Sequence, residues 1–252
     1  MHNGTLMVSG GSYNFFSGGK KCYELKNGTW KNHSTLNFDR FHATTVFSSA
    51  SETTFVFGGS DHSKSPYIYE YLAKDSTVWQ VGKKRIPEGF VVGSAVEIKS
   101  KHEIWLIGGN TSKSRILIFG TNNHTFRKFP STLKKGRYGH ACALIPGNMN
   151  KIMVTGGIHH DSPTTSVEII DIENGSVVEV NPMVSRRSGH AIGVIKVENE
   201  EKIIVFGGLS IVNSRQPITS FELFDHQTYE WKLVEDMKLE DAKWSFGYLN
   251  LK

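Results

Sequence analysis

The sequence predicts an all-β chain built from five copies of one unit, and three observations carry that reading. A Gly-Gly doublet recurs at Gly10-Gly11, Gly58-Gly59, Gly108-Gly109, Gly156-Gly157 and Gly207-Gly208, with spacings of 48, 50, 48 and 51 between successive second glycines. An arginine-histidine phrase stands before three of these doublets, at Arg40-Phe41-His42-Ala43, Arg137-Tyr138-Gly139-His140-Ala141 and Arg187-Ser188-Gly189-His190-Ala191. No segment keeps an apolar period of 3.6; alternation and short runs rich in β-branched and aromatic residues dominate. A fixed period of this length marks units that stack to bury a shared core.

Each unit divides into four strands, A to D from the inside outward. Unit one opens at B, 5–9, then has C at 21–26, a turn at Asn27-Gly28, and D from Thr29. Unit two has A at 41–48, B at 53–57, C at 66–73 and D at 77–81. Unit three has A at 90–98, B at 103–107, C at 115–120 and D at 125–129. Unit four has A at 138–145, a turn at Pro146-Gly147-Asn148, B at 151–155, C at 165–172 and D at 176–180. Unit five has A at 189–197, B at 202–206, C at 218–224 and D at 229–234, and Lys243–Leu251 reads as one more A strand. On the outer strands an aromatic is followed seven residues later by another, at Tyr23 and Trp30, Phe119 and Phe126, and Phe224 and Trp231; Tyr71 and Trp79 fit loosely. The doublet glycines are expected to let a neighbouring aromatic close down where a Cβ would intrude.

With the doublets, the Arg-x-x-His-Ala phrase and the outer aromatic pair together, practically the whole chain resembles a series of kelch repeats. The resemblance implies a β-propeller with one four-stranded blade per repeat, and the phase of the repeats, from B in the first to A at the end, fits a ring of five in which the C-terminal inner strand closes on the N-terminal blade. The blades then run 1–34 plus 243–252, 40–82, 90–130, 137–181 and 187–235, as a single domain. Such a clasp would leave no open edge between first and last blades. Val92-Gly93 stands in unit three where its relatives carry histidine, and Trp244–Gly247 lacks both Arg and His. The family likeness implies protein interaction, often substrate capture for ubiquitin ligases or cytoskeletal contact.

Composition narrows the function classes. The chain has 252 residues with a formal net charge of +5, a bias that favours acidic partners without pointing to nucleic acid. No apolar run approaches the roughly 18–20 residues of a membrane span. Cys22 and Cys142, in well-separated units, are expected as small core residues rather than a disulfide. The first residues hold no basic-then-apolar leader, which favours a cytoplasmic chain. Six Asn-x-Ser/Thr sequons, at Asn3, Asn27, Asn32, Asn110, Asn123 and Asn174, give the competing expectation of a secreted, glycosylated module that binds glycans or receptors. Turn chemistry explains some of them, since Asn27-Gly28 and Asn174-Gly175 suit two-residue hairpins.

Catalytic and metal chemistry find little support. His42, His140 and His190 take matching places on three inner strands, but zinc needs its ligands about 2 Å from one point and blades hold equivalent residues further apart. Ile158-His159-His160-Asp161 reads as a solvated loop. Glu97 is the only acid on the inner strands, where a glycosidase needs a pair. The expectation is therefore a non-enzymatic, monomeric module without cofactor or metal, with neither nucleic acid nor membrane as partner.

The B–C and D–A loops of such blades leave on one side, and together they carry +9 against −4 for the rest of the chain. The residues expected to hold an acidic protein segment there are Lys83, Lys84, Arg85, Lys113, Arg115, Lys134, Lys135, Arg137, Arg186, Arg187 and Arg215.

Overall fold

The computed structural model describes residues 5–14, 17–60, 65–197, 199–211 and 216–240. Strands run β1 (Met7–Ser9), β2 (Ser12–Asn14), β3 (Ser17–Lys26), β4 (Thr29–Arg40), β5 (Thr44–Ser48), β6 (Thr53–Phe57), β7 (Tyr69–Ala73), β8 (Gln80–Val81), β9 (Ser94–Ile98), β10 (Glu103–Ile107), β11 (Ile116–Gly120) and β12 (Thr125–Lys128). They continue as β13 (Ala141–Ile145), β14 (Asn148–Thr155), β15 (Ile158–His159), β16 (Ser162–Pro163), β17 (Val167–Asp171), β18 (Val177–Val180), β19 (Ala191–Val197), β20 (Glu200–Phe206), β21 (Leu209–Ile211), β22 (Gln216–Pro217), β23 (Ser220–Asp225) and β24 (Glu230–Lys238).

Among the described residues the strands form five four-stranded antiparallel sheets and two small two-stranded ones, β15 with β16 and β21 with β22. Four follow sequence order, as β5-β6-β7-β8, β9-β10-β11-β12, β13-β14-β17-β18 and β19-β20-β23-β24. The first sheet is built on β3, which pairs with β1, β2 and β4. The inner strand expected from Lys243 to Leu251 lies outside the described residues. Among those residues no helix is long and apolar enough to cross a membrane.

The inner strands start later than the sequence suggests, at Thr44, Ser94, Ala141 and Ala191. Two residues before each, the chain takes a left-handed φ, at His42 (57°), Val92 (56°), Gly139 (63°) and Gly189 (61°), and this breaks the ladder. Asn27 and Gly28, with φ of 50° and 73°, form the expected two-residue turn. Asn174-Gly175 does not, because the connection from Asp171 to Val177 is longer. Residues 158–163, expected as a loop, form a small hairpin of β15 with β16, turned at His160 (φ 46°) and Asp161 (φ 61°).

By contacts the chain divides into two compact units, 1–112 with 117–128, and 113–116 with 129–252. In the first, alternation on β6 sends neighbouring residues to opposite faces. Phe55 and Phe57 join Val46, Tyr69, Ala95, Ile104, Leu106, Leu117 and Phe119 between the second and third blades. Val56 faces the first blade and packs with Cys22, Leu36, Leu72 and Trp79. In the second unit, Met153, Val167 and Ile169 of the fourth blade meet Ile192, Ile203, Val205, Phe224 and Trp231 of the fifth. Both cysteines are free and buried.

The outer aromatic pair is confirmed in two blades. Phe119 lies opposite Phe126 with ring centroids 4.9 Å apart, and Phe224 opposite Trp231 at 5.0 Å. Tyr23 faces Asn32 instead of Trp30, and Trp79 packs towards the first blade, its Nε1 donating to Ser34 Oγ at 2.9 Å.

The doublets work differently from the expectation. A Cβ on Gly58 would lie 1.7 Å from the Phe90 carbonyl oxygen, and one on Gly156 would lie 2.5 Å from that of Arg187. The second glycine donates its N–H to the same oxygen, Gly59 to Phe90 at 2.9 Å and Gly157 to Arg187 at 2.8 Å. Gly11 does so to Arg40, also at 2.8 Å. Backbone from the next blade, not an aromatic ring, is what requires glycine here.

Candidate functional site

The arginine that opens each signature is the first residue to place. Arg40 is wholly buried; its Nε and Nη2 donate to Glu70 Oε1 at 3.1 and 2.9 Å, and Nη1 donates to the Ile68 carbonyl at 3.0 Å. Arg187 repeats the arrangement with Glu222 at 3.0 and 2.9 Å, and with the Gly207 and Ser220 carbonyls at 3.0 Å each. Arg137 pairs with Glu168 and donates to the Gly156 and Ser166 carbonyls at 2.9 Å. Burial pulls the Arg137 and Arg187 guanidinium groups below their ordinary range, and the partner carboxylates oppose that shift.

Each carboxylate also holds the stretch of chain before the inner strand. Glu70 accepts from the Asn37 and Phe38 amides at 2.6 and 3.3 Å, Glu168 from Lys134 and Lys135 at 2.7 and 3.1 Å, and Glu222 from Val184 and Ser185 at 2.7 and 3.0 Å. A buried ion pair offsets its desolvation only when such further bonds satisfy it. The third blade dispenses with the pair. Phe90 stands where the arginine would, Leu117 where the glutamate would, and both belong to one core cluster.

This corrects the expected docking set. Arg137 and Arg187 are fully buried and committed to Glu168 and Glu222, so they cannot meet a partner. Arg115 is buried too. Arg40, Arg137 and Arg187, three of the cations counted on the loops, are thereby neutralised inside the blades. Lys135 is half-engaged, with Nζ on Glu179. Arg215 lies outside the described residues.

What remains exposed in the first unit is Lys83, Lys84 and Arg85, the last with its guanidinium carbon 5.1 Å from the centre of the Tyr67 ring. In the second unit Lys113, Lys134 and Arg186 are exposed, and none forms an ion pair among the described residues. Their loops are joined at one end of the blades. The Lys113 carbonyl accepts from Arg137 N at 2.7 Å, Leu133 N donates to the Ser114 carbonyl at 2.8 Å, and Met183 N donates to the Thr165 carbonyl at 2.9 Å. Lys113 Nζ rests 5.4 Å from the centre of the Tyr138 ring. Val184 is 53% exposed two residues before Arg186.

The histidines are not equivalent as expected. A Cβ on Gly157 or Gly208 would lie 2.8 or 2.9 Å from the Cβ of His140 or His190, while one on Gly59 would meet Ala43 at 2.9 Å. Ala43 is therefore the counterpart of those histidines, and His42 sits one residue earlier, at the left-handed position. His190 is buried with Nε2 2.8 Å from Thr155 Oγ1, and burial with nearby Arg187, His140 and Arg137 lowers its pKa to about 3. His159 Nδ1 lies 2.9 Å from the Gly136 carbonyl and so donates to it. Glu97 accepts from Ser48 Oγ, Ser49 Oγ and Ala50 N at 2.7, 2.9 and 3.0 Å, tying down a turn of the second blade. Among the described residues no group of three or more His, Cys, Asp or Glu could hold a metal ion.

No protein-family model matches this chain. No curated protein matches it either. The chain is similar to the solved structure of YjhT, with a TM-score of 0.75 and 14% sequence identity, over 96% of this chain and 86% of that one. The fold is a five-bladed β-propeller. At that identity the likeness speaks for the fold alone.

The buried glutamates are what sequence reasoning missed. Glu70, Glu168 and Glu222 each interrupt an apolar C strand, in Tyr69-Glu70-Tyr71, Val167-Glu168-Ile169 and Phe221-Glu222-Leu223. An acid recurring at one place inside an apolar strand, in the same units that open with arginine, was the available signal.

Proposed function

We propose that the chain is a non-catalytic interaction module that captures an acidic segment of a protein partner, using the B–C and D–A loops of the second unit. One observation carries the reading. Lys134 and Arg186 stand exposed and unpaired on loops whose backbone amides are clamped by Glu168 and Glu222. Loops on a rigid scaffold commonly carry binding, and a clamped backbone has little freedom left to lose when its side chains meet a partner. Lys113, held over Tyr138, extends the same positive field, and Val184 offers an apolar contact beside it. Kelch-like repeats in the sequence support the same reading.

Charge reversal at Lys113, Lys134 and Arg186 together tests it. Capture of partner protein from native extract should fall and lose its salt dependence, with the melting temperature held. Equal capture by the variant would remove the docking role.

A further inference from the structure

We propose that the chain carries N-linked glycans at three C–D hairpin tips, on Asn27, Asn123 and Asn174. The excess of sequons raises the question, and side-chain geometry bears on it at Asn123 and Asn174. All five sequon asparagines among the described residues are exposed. Asn123 Oδ1 accepts from both the backbone N–H and the hydroxyl of Thr125, at 3.1 and 2.8 Å. Asn174 Oδ1 accepts from Ser176 N at 2.8 Å. In both, the residue two positions on holds the amide oxygen, so Nδ2 is the atom left without a bond. Two asparagines outside sequons use that nitrogen instead. Asn37 Nδ2 donates to Glu70 Oε2 and the Trp79 carbonyl at 2.6 and 3.0 Å, and Asn150 Nδ2 donates to Glu173 Oε1 at 2.7 Å.

Position within the blade supplies a second line. Asn27 turns β3 into β4, Asn123 lies between β11 and β12, and Asn174 between β17 and β18. In a four-stranded meander the C–D turn leaves at the end opposite the B–C loop. Beside Asn123, Lys101, His102, Asn122 and Arg127 line a cavity of about 190 Å3. It is smaller than the ~300–1,000 Å3 typical of drug-sized ligands.

The modification is a transfer from a polyprenyl-diphosphate-linked oligosaccharide. Asn Nδ2 forms a bond to the anomeric carbon of the first sugar, the bond from that carbon to the diphosphate oxygen breaks, and the diphosphate leaves with the electron pair. The Nδ2 proton is lost to solvent. This inference needs a secretory route and does not rest on the docking role.

Intact mass and peptide mapping of the full chain from the cells that make it provide the test. Treatment with a glycan-releasing amidase in heavy-oxygen water should lower the mass and convert Asn27, Asn123 and Asn174 to labelled aspartate. Thr125→Ala should abolish the label at position 123 only, and Thr125→Ser should retain it. Unmodified asparagine at all three positions in the untreated protein, with no mass change on treatment, would overturn the inference.

Discussion

Arg187 donates twice to one oxygen of Glu222, at 3.0 and 2.9 Å, with both side chains fully withdrawn from solvent. The pair fastens the loop entering the fifth blade to a strand of that blade, through two backbone amides on the same carboxylate.

Removing one partner strands the other charge in the interior. Arg187→Met or Glu222→Leu alone should therefore cost about 3–5 kcal/mol in denaturant unfolding. The double variant should cost clearly less than the sum, because Phe90 and Leu117 show the same site filled by apolar residues. Additive losses would contradict this.

The doublet glycines should be unequal to turn glycines. Gly58→Ala places a methyl against the Phe90 carbonyl at 1.7 Å and should destabilise by more than about 1 kcal/mol. Gly147→Ala meets no atom within 4 Å, and only its φ of 72° opposes the change. Melting of the two variants should rank Gly58→Ala well below Gly147→Ala.

His190 should give stability a dependence on acid. Its pKa falls from the ordinary 6.5 to about 3 in the fold, so the folded chain keeps it neutral. Below pH 6.5 the unfolded chain binds a proton that the folded chain refuses, and stability is lost as pH falls from there towards 3. Above pH 6.5 the residue adds no slope. His190→Gln should flatten the change in unfolding free energy between pH 7 and pH 4; an unchanged slope would place the acid sensitivity elsewhere.

The repeat, the blade count and most strands were legible because the period of two and the glycine doublets are local signals. Thr53–Phe57 and Glu103–Ile107 match the expected bounds residue for residue. Inner-strand starts were not, since the left-handed φ at His42 and Val92 belongs to residues that give no such hint. Charge at the site was the least legible. Arg186 and Arg187 are neighbours in sequence, yet one is exposed and the other buried on Glu222, a carboxylate 35 residues away. A count of loop charges cannot separate them, whereas the acids inside the C strands could have shown which arginines were already matched.

Binding of a labelled peptide rich in Asp and Glu, measured against ionic strength, bears most directly on the docking role. The parent chain should bind more weakly as salt rises, and Lys134→Glu with Arg186→Glu should lose binding at low salt while melting as the parent does. Retained, salt-sensitive binding by that folded double variant would contradict it.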